Sequence, residues 1–248
     1  MSDNTAEIFS QSNLSEVPNG LPYSDITVYA LSGEIGYLGS QGANGSNGQP
    51  GYDAYCNWQS GCRPGSDGGN GAEGAPGGRG SDGKNGKDLG DIKITVGTLI
   101  GNIVVTAAGG WGGTGGPGGT GGRGGDGGKG GDGSESGMFK QDGYRGGAGG
   151  KGGRGGNGGN GGKAGNGGTV TITYERSEGD SQFIPHTYHA PGGKAGRPGT
   201  GGQGGLGGAA GARGGSPGST GATGDNGDPG IGSTDGSLTV FSISKGKA

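Results

Sequence analysis

Glycine at every third position, in six separate runs bracketed by β-branched stretches, predicts a glycine-rich polyglycine II (PGII) helix bundle. The expected form is six antiparallel segments in two layers of three on a small antiparallel β-sheet base, with essentially no α-helix. Composition points the same way. The chain holds 78 glycines in 248 residues and is only 25% apolar, too little for a conventional apolar core. The third observation is order, because the sequence reads strand, glycine run, loop, glycine run, strand, three times over.

The runs come first. Run one places glycine at every third residue from Gly33 to Gly51, and run two does so from Gly65 to Gly86. Runs three and four, 109–133 and 146–168, are nearly pure Gly-Gly-X, while runs five and six cover about 192–214 and 215–232. A PGII segment has three residues per turn and no internal hydrogen bonds, so its backbone groups must find partners on neighbouring segments. Where two backbones touch there is no room for a Cβ, and the residue facing a neighbour must be glycine. Two glycines per turn then mean two neighbour-facing edges, which puts runs three and four at the centre.

Strand-like segments bracket the runs at 24–31, 91–96, 102–108, 169–176, 182–190 and 237–243. They define three units, 24–96, 102–176 and 182–243, within one domain at 24–248 that follows an N-terminal arm at 1–23. Residues 97–101 and 177–180 read as short hairpin-like joints. An apolar clamp at the roots of the runs is expected from Ile92, Ile94, Val96, Ile103, Val105, Val170, Ile172, Leu238 and Val240.

Competing readings of the repeat are weaker. Collagen asks for unbroken triplets rich in proline, whereas 11 prolines in 248 residues and interrupting strands argue against it. A flexible linker has no reason to hold glycine at period three. GxGxxG matches arise automatically in a Gly-Gly-X lattice, and no Gly-Lys pair is followed by Ser or Thr as a phosphate-binding loop requires.

Chemistry is scarce. His186 and His189, three apart on a strand, point to opposite faces, so no metal site and no catalytic centre is expected: the protein reads as a non-enzyme without cofactors. Asn13 and Asn44 head Asn-x-Ser triplets that read as chance matches. The net charge of −3 is spread along the chain and gives no nucleic-acid-binding face. No apolar stretch is long enough for membrane insertion, and no classical signal peptide is read at the start. Cys56 and Cys62 admit either a local disulfide or two free thiols.

The functional expectation falls on the loops joining paired runs, which should gather at the tip opposite the base. Loop one (52–64) carries Tyr52, Tyr55, Trp58 and Arg63, and loop two (134–145) carries Met138, Phe139, Lys140, Tyr144 and Arg145. These types are enriched at binding hot spots, although the aromatics would equally serve to plug the end of the bundle. The Gly-Gly-X and Gly-X-Y runs, with loops between them, resemble the PGII-bundle adhesins of T-even-type phage tail-fibre tips and the snow flea antifreeze proteins. That resemblance implies a rigid adhesin at an extracellular or virion surface, binding a protein or glycan receptor through its tip. Two alternatives stand beside it: a self-assembling fibre or surface-layer subunit whose partner is itself, and an ice-binding protein. Charged residues among the outward positions of run three count against the last.

Overall fold

The computed structural model describes residues 6–10 and 24–246. Among them there is no helix; they comprise eleven short strands and long glycine-rich stretches that are neither helix nor sheet. The strands are β1 (Ala6–Ser10), β2 (Ile26–Ala30), β3 (Tyr55–Asn57), β4 (Gly61–Arg63), β5 (Ile92–Ile100), β6 (Ile103–Ala108), β7 (Ser134–Ser136), β8 (Phe139–Gln141), β9 (Thr169–Glu178), β10 (Phe183–Thr187) and β11 (Val240–Lys245). Every stretch expected to be a strand contains one.

The runs are joined by backbone hydrogen bonds repeating every third residue. Run one donates to run three in the same direction, from Gly33 N–H to the Trp111 carbonyl through Gly51 to Lys129. Run three in turn donates to run five, and runs two, four and six form a matching series. Consecutive runs pair in opposite directions, as when Gly119 N–H donates to the Gly78 carbonyl at 2.9 Å and Gly156 to Gly119 at 2.7 Å. Runs one, three and five therefore form one layer and runs two, four and six the other. Direction is shared within a layer and opposed between layers, which refines the expectation of six antiparallel segments.

Glycine content follows the number of neighbours. Runs three and four each bond to four other runs and carry two glycines per triplet; a Cβ built on Gly121 would lie 2.0 Å from the Gly153 oxygen, and one on Gly122 would lie 1.9 Å from that of Ala43. Run two bonds to three runs, and its N–H donors to run one sit on the small residues Ser66, Gly69, Ala72, Ala75, Gly78 and Ser81, giving way to Lys84 and Lys87 at the base end. Run one bonds to two runs only, and Glu34, Tyr37, Gln49 and Tyr52 occupy the equivalent positions. Run six likewise has two neighbours, and non-glycine residues such as Pro217, Thr220, Thr223 and Pro229 lie between its glycines.

The base differs from the single antiparallel sheet expected. Two sheets form, ordered β1-β2-β6-β10 and β11-β9-β5. Apart from the antiparallel β1–β2 pair, every pairing in them is parallel. The cause is the layering above: β2, β6 and β10 lead into the three runs of one layer, and β5, β9 and β11 leave the runs of the other, so each strand inherits the direction of its run. The joints at Gly101 (φ 75°) and Gly179 (φ 57°) carry the chain from one sheet to the other and close no hairpin. Strand β1 lies inside the expected arm; the remainder of residues 1–23, Asn13 included, falls outside the described residues.

Between the sheets Val28, Val105, Ala107 and Phe183 meet Leu99, Val170 and Ile172, with Leu89 at the end of run two. Ile92, Ile94, Val96 and Ile103 pack against this core. Leu238 and Val240 do not belong to the clamp, being 42% and 63% exposed. Period-two alternation puts Phe241 inward in their place.

Candidate binding site at the tip

All three loops between paired runs gather at the end away from the sheets. Loop one folds as the β3–β4 hairpin, with Cys56 directly opposite Cys62 and the two sulfurs bonded. Gln59 N–H donates to Asn57 Oδ1 at 2.9 Å, and Gly61 supplies the left-handed φ of 80° that returns the chain. Loop two folds as the β7–β8 hairpin around Gly137, φ 60°. Loop three is the turn at 212–214, where Arg213 takes φ 63°.

Named contacts tie the loops together. Cys56 N–H donates to Ser134 Oγ at 3.0 Å, joining the first hairpin to the second. The Arg213 guanidinium pairs with Glu135 at 3.0 Å, and Gly143 N–H donates to the Arg213 carbonyl at 2.8 Å, joining the second loop to the third. Lys140 pairs with Asp142 at 3.4 Å. Just below, Asp132 is held under its ordinary carboxylate value by hydrogen bonds from the Lys129 ammonium and then the Ala212 N–H, while Lys129 is raised by the same contact.

Exposure separates display from plugging. Met138 is 94% exposed, Tyr52 82%, Trp58 71%, Tyr55 60% and Phe139 40%. Arg63, Lys140 and Arg145 are exposed as well. Closure of this end of the runs falls to Ala54 and Cys56, both buried, and to half-buried Tyr144, whose ring edge lies against Gly65. Among the nine loop residues singled out from sequence, Tyr144 alone packs as a plug. Glu135 and Arg213 escaped that reading because Arg213 sits in Gly-Ala-Arg-Gly-Gly, indistinguishable from another triplet.

Away from the tip, His189 Nδ1 lies 2.9 Å from the Gly236 carbonyl, and the exposed His186 sits on β10. Among the described residues no three His, Cys, Asp or Glu side chains are grouped to hold a metal ion, and no helix is long and apolar enough to cross a membrane.

No protein-family model matches the chain, and no curated protein matches it. Among solved structures it is similar to a springtail antifreeze protein from Granisotoma rainieri, described as a nine polyproline type II helical bundle. The two are 32% identical over 60% of this chain and 92% of that chain, at a TM-score of 0.10. A likeness at that TM-score carries no argument about fold or function, and glycine repeats raise identity by composition alone.

Proposed function

We propose that the six runs are PGII helices packed as a bundle, that residues 24–248 fold as one domain, and that the protein is a non-catalytic spike displaying recognition loops at its tip. The receptor is a protein or glycan on a surface, as for an adhesin at a tail-fibre tip, and the arm at 1–23 or the sheets attach the spike to its carrier. The observation that carries this reading is the exposure of Tyr52, Tyr55, Trp58 and Met138 on two hairpins braced by a disulfide and by each other. Exposed aromatic and methionine side chains presented on braced loops are the residue types enriched at interaction sites. A disulfide fits an extracellular or virion-surface setting, where oxidising conditions preserve it.

The geometry favours this over self-assembly through the bundle edges. Continuing the lattice past run one or run six would bring a backbone against Tyr37, Tyr52, Pro217 or Pro229, where a Cβ or a missing N–H blocks it. Ice binding gains nothing from the outer rows, which mix Arg123, Asp126 and Lys129 with Thr114 and Thr120.

The test is binding of labelled protein to intact bacterial cells and to an immobilised glycan panel. Trp58→Ala with Met138→Ala should abolish binding and leave thermal unfolding unchanged. Undiminished binding by that variant would remove the tip from the mechanism.

A further inference from the structure

Each layer's outer face is a ladder of rows three residues apart, and in each row the outward residue of one run turns its N–H toward the preceding run of the layer. Where the facing residue is Asn or Asp, its Oδ1 takes that N–H. Asn44 accepts from Arg123 and Asn47 from Asp126, while Asp126 accepts from Leu206 and Asp132 from Ala212, all at 2.8 to 2.9 Å. In the other layer Asp67, Asp82 and Asp88 serve Arg145, Asn160 and Asn166 in the same way. The outward N–H is thus a seat for an sp² oxygen, and in several rows that oxygen belongs to a carboxylate.

In the base half of the groove between runs three and five no Asn or Asp faces the outward N–H groups. The 80-residue offset that pairs Asp126 with Leu206 and Asp132 with Ala212 sets Thr114, Pro117, Thr120 and Arg123 opposite Lys194, Arg197, Thr200 and Gln203. Among the described residues, the N–H groups of these last four have no protein acceptor. Their spacing of about 9 Å, three residues of PGII rise, makes a line of donors roughly 28 Å long.

Charge follows the same division. Arg123 and Lys129 are paired with Asp126 and Asp132, and Lys151 and Arg154 with Asp225 and Asp228. Lys194 and Arg197 are exposed and pair with no carboxylate among the described residues. Beside them the groove opens into a hollow of about 440 Å³ walled by Trp111 and Tyr188, and further along into one of about 340 Å³ between Thr120 and Thr200.

We infer that this groove binds a carboxylated oligosaccharide of the uronic-acid class. Its carboxylates accept the N–H groups of Lys194, Arg197 and Thr200, as Asp126 and Asp132 do for their own rows. The Lys194 ammonium and Arg197 guanidinium supply the counter-charge, and the C–H faces of the sugar rings lie on Trp111 and Tyr188. A sugar polymer fits better than an acidic peptide, because the walls are aromatic and a stiff chain loses less freedom on binding. The site lies on the flank of the bundle and is independent of the tip loops.

The test is calorimetric titration of the full chain with oligogalacturonate, with neutral dextran oligomers and polyglutamate as comparators. Thr114→Asn together with Thr120→Asn supplies the seats with side-chain oxygens, as Asn44 does, without changing the charge. Expected are binding of oligogalacturonate, none of dextran, and a loss of about tenfold or more in the double variant, the worth of a charge-assisted hydrogen bond. Lys194→Gln with Arg197→Gln, which alters no packed residue, should lose binding as well. The assignment is overturned by absence of oligogalacturonate binding, by equal affinity in either double variant, or by tighter binding of polyglutamate.

Discussion

Replacing Gly121 by alanine tests the packing argument at its tightest point. The new Cβ would stand 2.0 Å from the Gly153 oxygen and 2.5 Å from its carbon. Ordinary carbon–oxygen contact needs about 3.3 Å or more, so runs three and four must part locally by roughly 1.3 Å. The bonds holding them there, Gly153 N–H to Gly122 at 2.8 Å and Gly156 N–H to Gly119 at 2.7 Å, would then exceed hydrogen-bonding range. Two lost bonds at about 1 kcal/mol each and a steric term of about 1–3 kcal/mol outweigh the 0.4–1 kcal/mol or so that alanine contributes by restricting the unfolded chain. The expected net loss is about 2–4 kcal/mol. Gly97→Ala is the control, because a Cβ there meets nothing within 4 Å, and it should be neutral or stabilising by a few tenths of a kcal/mol. Guanidinium unfolding of both variants gives the comparison. Equal stabilities for Gly121→Ala and Gly97→Ala would refute the claim that glycine is retained for contact between backbones.

Other outcomes follow from the same structure. Asp82 is held below its ordinary value first by the Asn160 N–H and then by Arg79; a depressed folded value means stability present at neutral pH and lost as pH falls through that value, below about pH 4. The thermal midpoint of the wild type should therefore drop in acid, and Asp82→Asn, which keeps the acceptor, should drop less. Reducing the Cys56–Cys62 bond should speed amide exchange in the β3–β4 and β7–β8 hairpins while leaving runs three and four protected, since the disulfide closes only a short loop. In the base, Ile172→Ala should cost about 2–5 kcal/mol by urea unfolding, as the side chain is fully buried. Leu238→Ala, 42% exposed, should stay within about 0.5 kcal/mol.

Much of this architecture is written in the triplets. Period three marked the runs, and the second glycine of Gly-Gly-X marked runs three and four as central, because each absent Cβ records a touching backbone. The tip loops stood out because Trp58 and Phe139 fall between glycine runs whose aromatics are Tyr37 and Trp111 alone. Strand direction was hidden: alternation in 91–96 and 169–176 fixes which residues face inward, but pairing depends on which runs share a layer. The core partners Leu89, Leu99 and Phe183 were equally obscure, since isolated apolar residues at element ends carry no periodicity. The Asn and Asp acceptors lie about 79 residues from their donors, a separation no local pattern reveals. The Arg213–Glu135 pair was lost for the same reason.

Amide hydrogen exchange, residue by residue, addresses the lattice most directly. In run three, Gly118, Gly119, Gly121 and Gly122 each donate to a neighbouring backbone and Thr120 does not; between Gly39 and Gly42 of run one, only the two glycines donate. Protection should therefore appear on two amides per triplet over residues 112–122 of run three, where no side chain takes the third N–H, and on one per triplet over residues 39–48 of run one. Uniformly fast exchange through both runs, or protection without the three-residue period, would contradict it.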